Sequence, residues 1–229
     1  MKIVKQVVFI GDCDKTDLLF YVCKLLGMEH EVLLADMTRS GRYRYAYPKV
    51  EMEVEIHQYD TFDIAESAPD LTAISEITAS DAYDYVIVDV DDPGKIGSLV
   101  SLDEFYLVTS YDNPSIQENK ALLEALVRNL PKEELITMTK ALCEVEHTFT
   151  EEFLIQQYDH LPIEWMEPLI YVPDERDLSR KINNQFSSTV QLKRLSPEYK
   201  LVIKSIVESI LGIEPKQMNA LWKKAERSK

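Results

Sequence analysis

The chain has 229 residues, of which 40 are acidic and 25 basic, giving a net charge of −15. That balance argues against a general nucleic-acid surface, and three scattered cysteines (Cys13, Cys23, Cys143) are too few for a disulfide framework or a zinc site. No run approaches the roughly 20 apolar residues of a spanning helix and no leader opens the chain, so a soluble protein of a reducing cytosol is expected.

In chain order, KIVKQVVFI (2–10) reads as a strand, and LLFYVCKLL (18–26) as an amphipathic helix closed by Gly27. EVLLAD (31–36) is a second strand. RSGRYRYAYPKV (39–50) is irregular, basic and tyrosine-rich, and reads as a surface loop. MEVEIHQY (52–59) alternates apolar and charged residues, as an edge strand or hairpin arm does. YVIVDV (85–90) and EFYLVTS (104–110) read as buried central strands, and 115–130 as a helix. Strands at 134–140 and 168–173 and helices at 150–158, 175–185 and 197–211 complete the pattern. Strands separated by helices predict an α/β fold: a mostly parallel central sheet with helices on both faces. Such sheets bind ligands at the carboxyl ends of their strands. There the sequence places Gly11, Asp36, Asp89, Tyr111 and Pro173.

Between the first strand and helix lies IGDCDKTD (10–17), in the position of a phosphate-binding loop. A working loop wraps glycine-rich backbone around phosphates and supplies a lysine for their charge and a Ser/Thr for Mg²⁺. The interval from Gly11 to Lys15 is two residues short of the general pattern, and Asp14 stands where a glycine precedes the lysine. Asp14 is also placed to cap the helix, with Asp17 three residues on completing a variant capping box. Two readings stand. Either Lys15 meets a phosphate and Thr16 ligates Mg²⁺, or both are first-turn helix residues kept from an ancestral site. The two added carboxylates, Asp12 and Asp14, favour the second reading. Asp12, Asp14, Asp36, Asp89, Asp91 and Asp92 together are expected to form a negative cluster that raises its own pKa values.

YDYVIVDVDDP (83–93) and SLDEFYLVTSYDNPSIQENKALLEAL (101–126) resemble two segments of the ParA/MinD family of deviant P-loop (SIMIBI) ATPases, nearest to its TadZ/CpaE-like pilus-assembly branch. PLIYVPDERDLSRKINNQF (168–186) is similar to the family's stretch beside the nucleotide base, and VLLADMT (32–38) to the strand ending in its switch-I acids. The resemblance implies a P-loop NTPase-like fold. It also implies nucleotide contacts from Gly11, Lys15, Thr16, Pro173 and Asp174, Mg²⁺ contacts from Thr16 and Asp89, and a catalytic candidate in Asp36. The chain departs from the family at the loop, which lacks the signature lysine. Thr38 stands at the second switch acid and Thr139 near the base-contacting asparagine. The expected function is therefore a pseudo-ATPase, with no or weakly held ATP/Mg. It would act as a localisation or recruitment factor for a Tad/Flp-type pilus or secretion apparatus through protein partners, with a homodimer possible and no nucleic acid expected. The alternative is an active ParA-type ATPase of plasmid or chromosome partition.

Residues 1–212 read as one ParA/MinD-like unit and 213–229 as a basic amphipathic C-terminal tail. Met218, Leu221, Trp222 and Ala225 share one face of that tail. The face suits either packing on the chain itself or, as the lesser alternative, peripheral contact of 214–229 with the inner face of the membrane.

Overall fold

The computed structural model describes residues 4–49, 56–68, 70–79, 82–97, 99, 102–128, 130–131, 134–143, 149–172 and 174–228. Among these residues nine strands form one sheet: β1 (Lys5–Ile10), β2 (Val32–Asp36), β3 (Ile56–Tyr59), β4 (Phe62–Ala65), β5 (Tyr85–Val90), β6 (Glu104–Thr109), β7 (Ile136–Cys143), β8 (Ile163–Trp165) and β9 (Leu169–Tyr171). The order is β3-β4-β2-β5-β1-β6-β7-β8, with β9 also on β7, and every pairing is parallel except the β3–β4 hairpin. The mostly parallel α/β architecture expected from the sequence is therefore present.

Period-two alternation divides the apolar residues between two layers. Val7 and Phe9 of β1 face α1 (Thr16–Leu26), α7 (Pro197–Leu211) and α8 (Pro215–Ala225). Val8 and Ile10 face α2 (Leu71–Thr78), α3 (Pro93–Ile96), α4 (Asn113–Val127) and α5 (Glu151–Gln156). The remaining helix, α6 (Glu175–Asn184), follows β9. Asp70, Asp92, Asp112, Asp174 and Ser196 cap α2, α3, α4, α6 and α7 by accepting from the first-turn amides.

The described part of the expected 52–59 strand, 56–59, is the outer arm of the β3–β4 hairpin, and 52–55 lies outside the described residues. Its turn uses Asp60 at φ 55°, and the Asp60 carboxylate reaches Lys24 Nζ at 2.6 Å and accepts Val190 N–H at 2.7 Å. Both charged side chains are buried, and the pair fastens the hairpin to α1 together with the Thr61 hydroxyl, which donates to Lys24 O at 3.1 Å, and the Phe20 ring against Tyr59 and Phe62. Gly27 ends α1 without a left-handed turn. Its lack of a side chain is needed because a Cβ there would sit 2.2 Å from the Thr61 carbonyl oxygen.

The tail forms α8, and its face of Met218, Leu221, Trp222 and Ala225 is buried in the layer over α1 and α7. Burial of the three larger side chains contributes roughly 1.5–3 kcal/mol each. The apolar surface that a membrane would have engaged is thus turned onto the chain itself. No helix among the described residues is long and apolar enough to cross a membrane.

Candidate functional site

β1 is central, flanked by β5 and β6, so the segment leaving it crosses the carboxyl end of the sheet. Gly11 adopts φ +146° and lies so close to β6 that a Cβ would stand 2.0 Å from the Val108 carbonyl oxygen. The glycine is required by this backbone approach, whatever the loop binds. Beyond it, Asp12 N–H donates to Asn119 Oδ1 at 2.9 Å, and the Cys13 thiol donates to Val108 O at 3.0 Å. The buried Asn119 is held in turn by Thr109 Oγ1 at 2.8 Å.

Asp14 closes the start of α1. Its Oδ1 accepts Thr16 N–H at 3.1 Å and the Thr16 hydroxyl at 2.8 Å. Its Oδ2 pairs with Lys181 at 2.9 Å and with Arg42 at 3.5 Å. Burial works to raise the Asp14 carboxyl, but Lys181 and the Thr16 donors outweigh it and hold it down at about 2. Asp17 does not complete a capping box. It pairs with Lys181 at 3.2 Å and accepts the Tyr199 hydroxyl at 2.8 Å, because α7 and α6 present those donors to it.

Lys15 turns inward. Its ammonium sits 2.9 Å from Asp89 Oδ1, with each side chain no more than 2% exposed, and donates to the Gly11 carbonyl oxygen. Burial alone would lower the Lys15 pKa, but the Asp89 carboxylate outweighs it and the net displacement is upward. Asp89 Oδ2 accepts the Tyr43 hydroxyl at 2.7 Å. Asp36 lies opposite Asp89 in the β2–β5 register, and its Oδ1 accepts from both the amide and hydroxyl of Thr38, at 2.9 and 2.6 Å. Asp91 accepts Arg39 N–H at 2.6 Å, and Asp92 caps α3.

The expected negative cluster therefore assembles only in part: beyond burial, Asp89 adds to the rise at Asp36 and Asp91 to that at Asp89, while Asp14 is held down. The acids are divided among separate donors, and the upward displacements of Asp36 and Asp89 come first from burial. Among the described residues no group of three His, Cys, Asp or Glu side chains is arranged to hold a metal ion. Asp174 is a half-buried cap of α6, held down at about 2 by its hydrogen bonds from Arg176, and no contact with Lys15 or Thr16 occurs among the described residues. Pro173 lies outside the described residues.

No family model and no curated protein matches the chain. Solved structures do. The MinD cell division protein of Aquifex aeolicus superposes with a TM-score of 0.61 at 16% identity, covering 92% of this chain and 98% of that one. McdA of Cyanothece, in an ATP complex, gives 0.55 at 15% identity, covering 93% and 98%. The pNOB8 ParA bound to nonspecific DNA gives 0.53 at 14% identity, covering 93% and 100%. The fold is that of the MinD and ParA proteins.

At these identities the MinD/ParA likeness carries the fold and not the residue roles, so whether a nucleotide fits rests on the side chains present. Lys15, Thr16 and Asp89 do converge at the exit of β1, together with Gly11. Their bonds, however, are already made: Thr16 to Asp14, Lys15 to Asp89, and the α1 N-terminus to a carboxylate in place of a phosphate. The cleft beside Thr16, lined by Asp17, Phe20, Ala46, Lys181, Asn184 and Gln185, has a volume of about 10 Å³. That crevice runs between α1 and α6, has room for about one water, and does not include Gly11, Lys15 or Asp89. In this arrangement Lys15 and Thr16 direct their donors to Asp89 and Asp14 and not outward to a phosphate. Asp36 Oδ2 is buried without a hydrogen-bond partner among the described residues, and one carboxylate oxygen is not a metal site.

Four participants escaped the sequence reading: Tyr43, Arg42, Asn119 and Lys181. Tyr43 and Arg42 belong to the 3-10 turn Arg42–Tyr45 within the expected surface loop, and their basic and tyrosine-rich context was the only available signal. Asn119 and Lys181 sit on helices whose faces toward the loop become defined only once the sheet order is known.

Proposed function

We propose that the chain is a ParA/MinD-type pseudo-ATPase with no or weak ATP hydrolysis. It acts in the cytoplasm as a localisation or recruitment factor for a Tad/Flp-type pilus or secretion apparatus. The unit spanning 1–212 does the docking, and 213–229 covers it. The observation that carries the loss of turnover is the Asp14 carboxylate bonded to Thr16 N–H, Thr16 Oγ1 and Lys181, in the position where the loop would otherwise receive an anion. The inward Lys15–Asp89 pair supports the same reading. The choice of apparatus rests on the sequence resemblance of 83–93 and 101–126 to TadZ/CpaE-like proteins.

The test is calorimetry with ATP and ADP plus Mg²⁺, alongside a phosphate-release assay. Binding absent or in the millimolar range, with no turnover, is expected. A micromolar dissociation constant abolished by Lys15→Ala, with steady phosphate release, would establish the second reading, an active ParA-type ATPase. That alternative draws on the convergence of Lys15, Thr16 and Asp89 at one strand exit. The fold does not argue against nucleic acid, since pNOB8 ParA is solved on DNA. Only the net charge of −15 does.

A further inference from the structure

α8 turns two adjoining strips away from the core. At about 100° per residue, Lys216, Lys223 and, in the turn just past the helix, Arg227 fall within about 40° of one another. Three exposed cations therefore stand in line along its outer side. None of the three makes an ion pair or a side-chain hydrogen bond among the described residues. Of the acids at the two ends of α8, Glu226 pairs with Lys200 at 3.7 Å and Glu214 closes a capping box with Gln217. Exposed Ala220 borders the cation row, and it also lines a groove of about 420 Å³ between α8, the end of α1 and the start of β5. The groove's apolar lining is Tyr85, Leu211, Ile213, Ala220 and Leu221, and the Glu29–Lys224 pair at 3.0 Å belongs to its polar part. Such a volume lies within the roughly 300–1,000 Å³ of binding sites. The groove lies at the amino ends of the strands, away from the loop at Gly11.

We propose that the groove and the cation row together dock an acidic amphipathic helix of a protein partner, laid along α8. Each strip selects one feature of that occupant. Lys216, Lys223 and Arg227 are spaced seven and four residues apart, about 10 and about 6 Å along the axis, so a helix with carboxylates at the same intervals meets all three. Beside them the partner's apolar side chains enter the groove. Charge complementarity points to the same occupant. From Glu214 onward the chain holds five basic residues against two acids, within a net charge of −15, so an acidic segment repelled by most of the surface is admitted here. A flat bilayer is a poorer occupant, since it cannot enter a groove and Met218 and Trp222 are buried beneath the row. A nucleic acid would match the cations and leave the apolar lining uncovered. Residues 213–229, a cover in the recruitment reading, thus gain a docking part of their own, whether or not ATP is bound.

Fluorescence anisotropy of two synthetic helical peptides of about 16 residues, titrated with the full chain, tests this. One carries glutamates at seven-then-four spacing and the other at four-then-seven, for the two directions of the helix, with leucines on the adjoining strip. One of them is expected to bind with a dissociation constant below about 1 mM and to weaken as salt is raised. Lys216→Glu combined with Lys223→Glu, both at exposed positions, keeps the wild-type melting temperature and loses at least about tenfold in affinity. Ala220→Trp, which fills the groove and leaves the charge unchanged, loses about as much. Failure of both peptides to bind the wild type would overturn the proposal, as would binding that Ala220→Trp leaves intact, since the cations alone would then hold the peptide. Capture of anionic vesicles or duplex DNA by the wild type, abolished by the double lysine variant, would overturn it too, because phosphate would then be the ligand of the row.

Discussion

Replacing Lys15 with methionine separates a lysine that stabilises the fold from one waiting for a ligand. In the structure both members of the Lys15–Asp89 pair are almost fully buried, and Lys15 also donates to the Gly11 carbonyl oxygen. Methionine fills nearly the same space, so the loss is electrostatic with little cavity contribution. Among the described residues Asp89 would keep only the Tyr43 hydroxyl, on its other oxygen. Removing one partner of a buried ion pair costs about 3–5 kcal/mol. For a chain of this size that lowers the melting temperature by about 6–20 °C. Thermal and urea unfolding of Lys15→Met measure it directly. Adding Asp89→Asn, which keeps an acceptor for Tyr43 but removes the stranded charge, should restore at least about half of the loss. A loss below about 1 kcal/mol for Lys15→Met would refute the reasoning, since a solvent-facing loop lysine costs no more than that.

Asp14→Asn should lose about 1 kcal/mol at neutral pH: the carboxyl is held down from 3.8 to about 2, and its partial exposure discounts the full linkage value. A depressed folded-state pKa stabilises above the unfolded value and loses that contribution as pH falls, so the gap between wild type and variant should close between about pH 4 and about pH 2 in urea titrations. Gly11→Ala should lose about 3 kcal/mol or more, with or without nucleotide in the unfolding buffer, because its Cβ would enter the Val108 carbonyl at 2.0 Å. Trp222→Ala should lose about 3–5 kcal/mol in chemical denaturation, the cost of emptying a buried aromatic site. The same variant and the wild type should both fail to sediment with anionic vesicles.

The central sheet was legible because β1, β5 and β6 are runs of apolar residues that only a strand covered on both faces explains. Strands β4 and β8 and helices α2 and α3 were not read. β8 has three residues, and the β3–β4 turn at Asp60–Thr61 has no glycine to announce it, since Asp60 is held at positive φ by its ion pair with Lys24. That pair spans 36 positions, and no local pattern reveals it. The loop was legible as a departure from a phosphate cradle, and Asp14 as its plug, because helix N-termini attract carboxylates by a local rule. What filled the other positions was not, because Tyr43, Lys181 and Asn119 reach the loop across tertiary distances. The helix α6 was legible, but not that its buried side chains are Asp177 and Asn184, since periodicity marks a face without saying which way it points.

Met218, Leu221 and Trp222 complete the layer over α1, yet they lie near the opposite end of the chain from it. During synthesis α1 leaves the ribosome long before those side chains exist, so the part of its surface that α8 covers must wait for them, after α7 has packed on the rest. A nascent chain stalled before residue 218 would leave that part of α1 open to chaperones, so folding of α8 is the step that withdraws it from them.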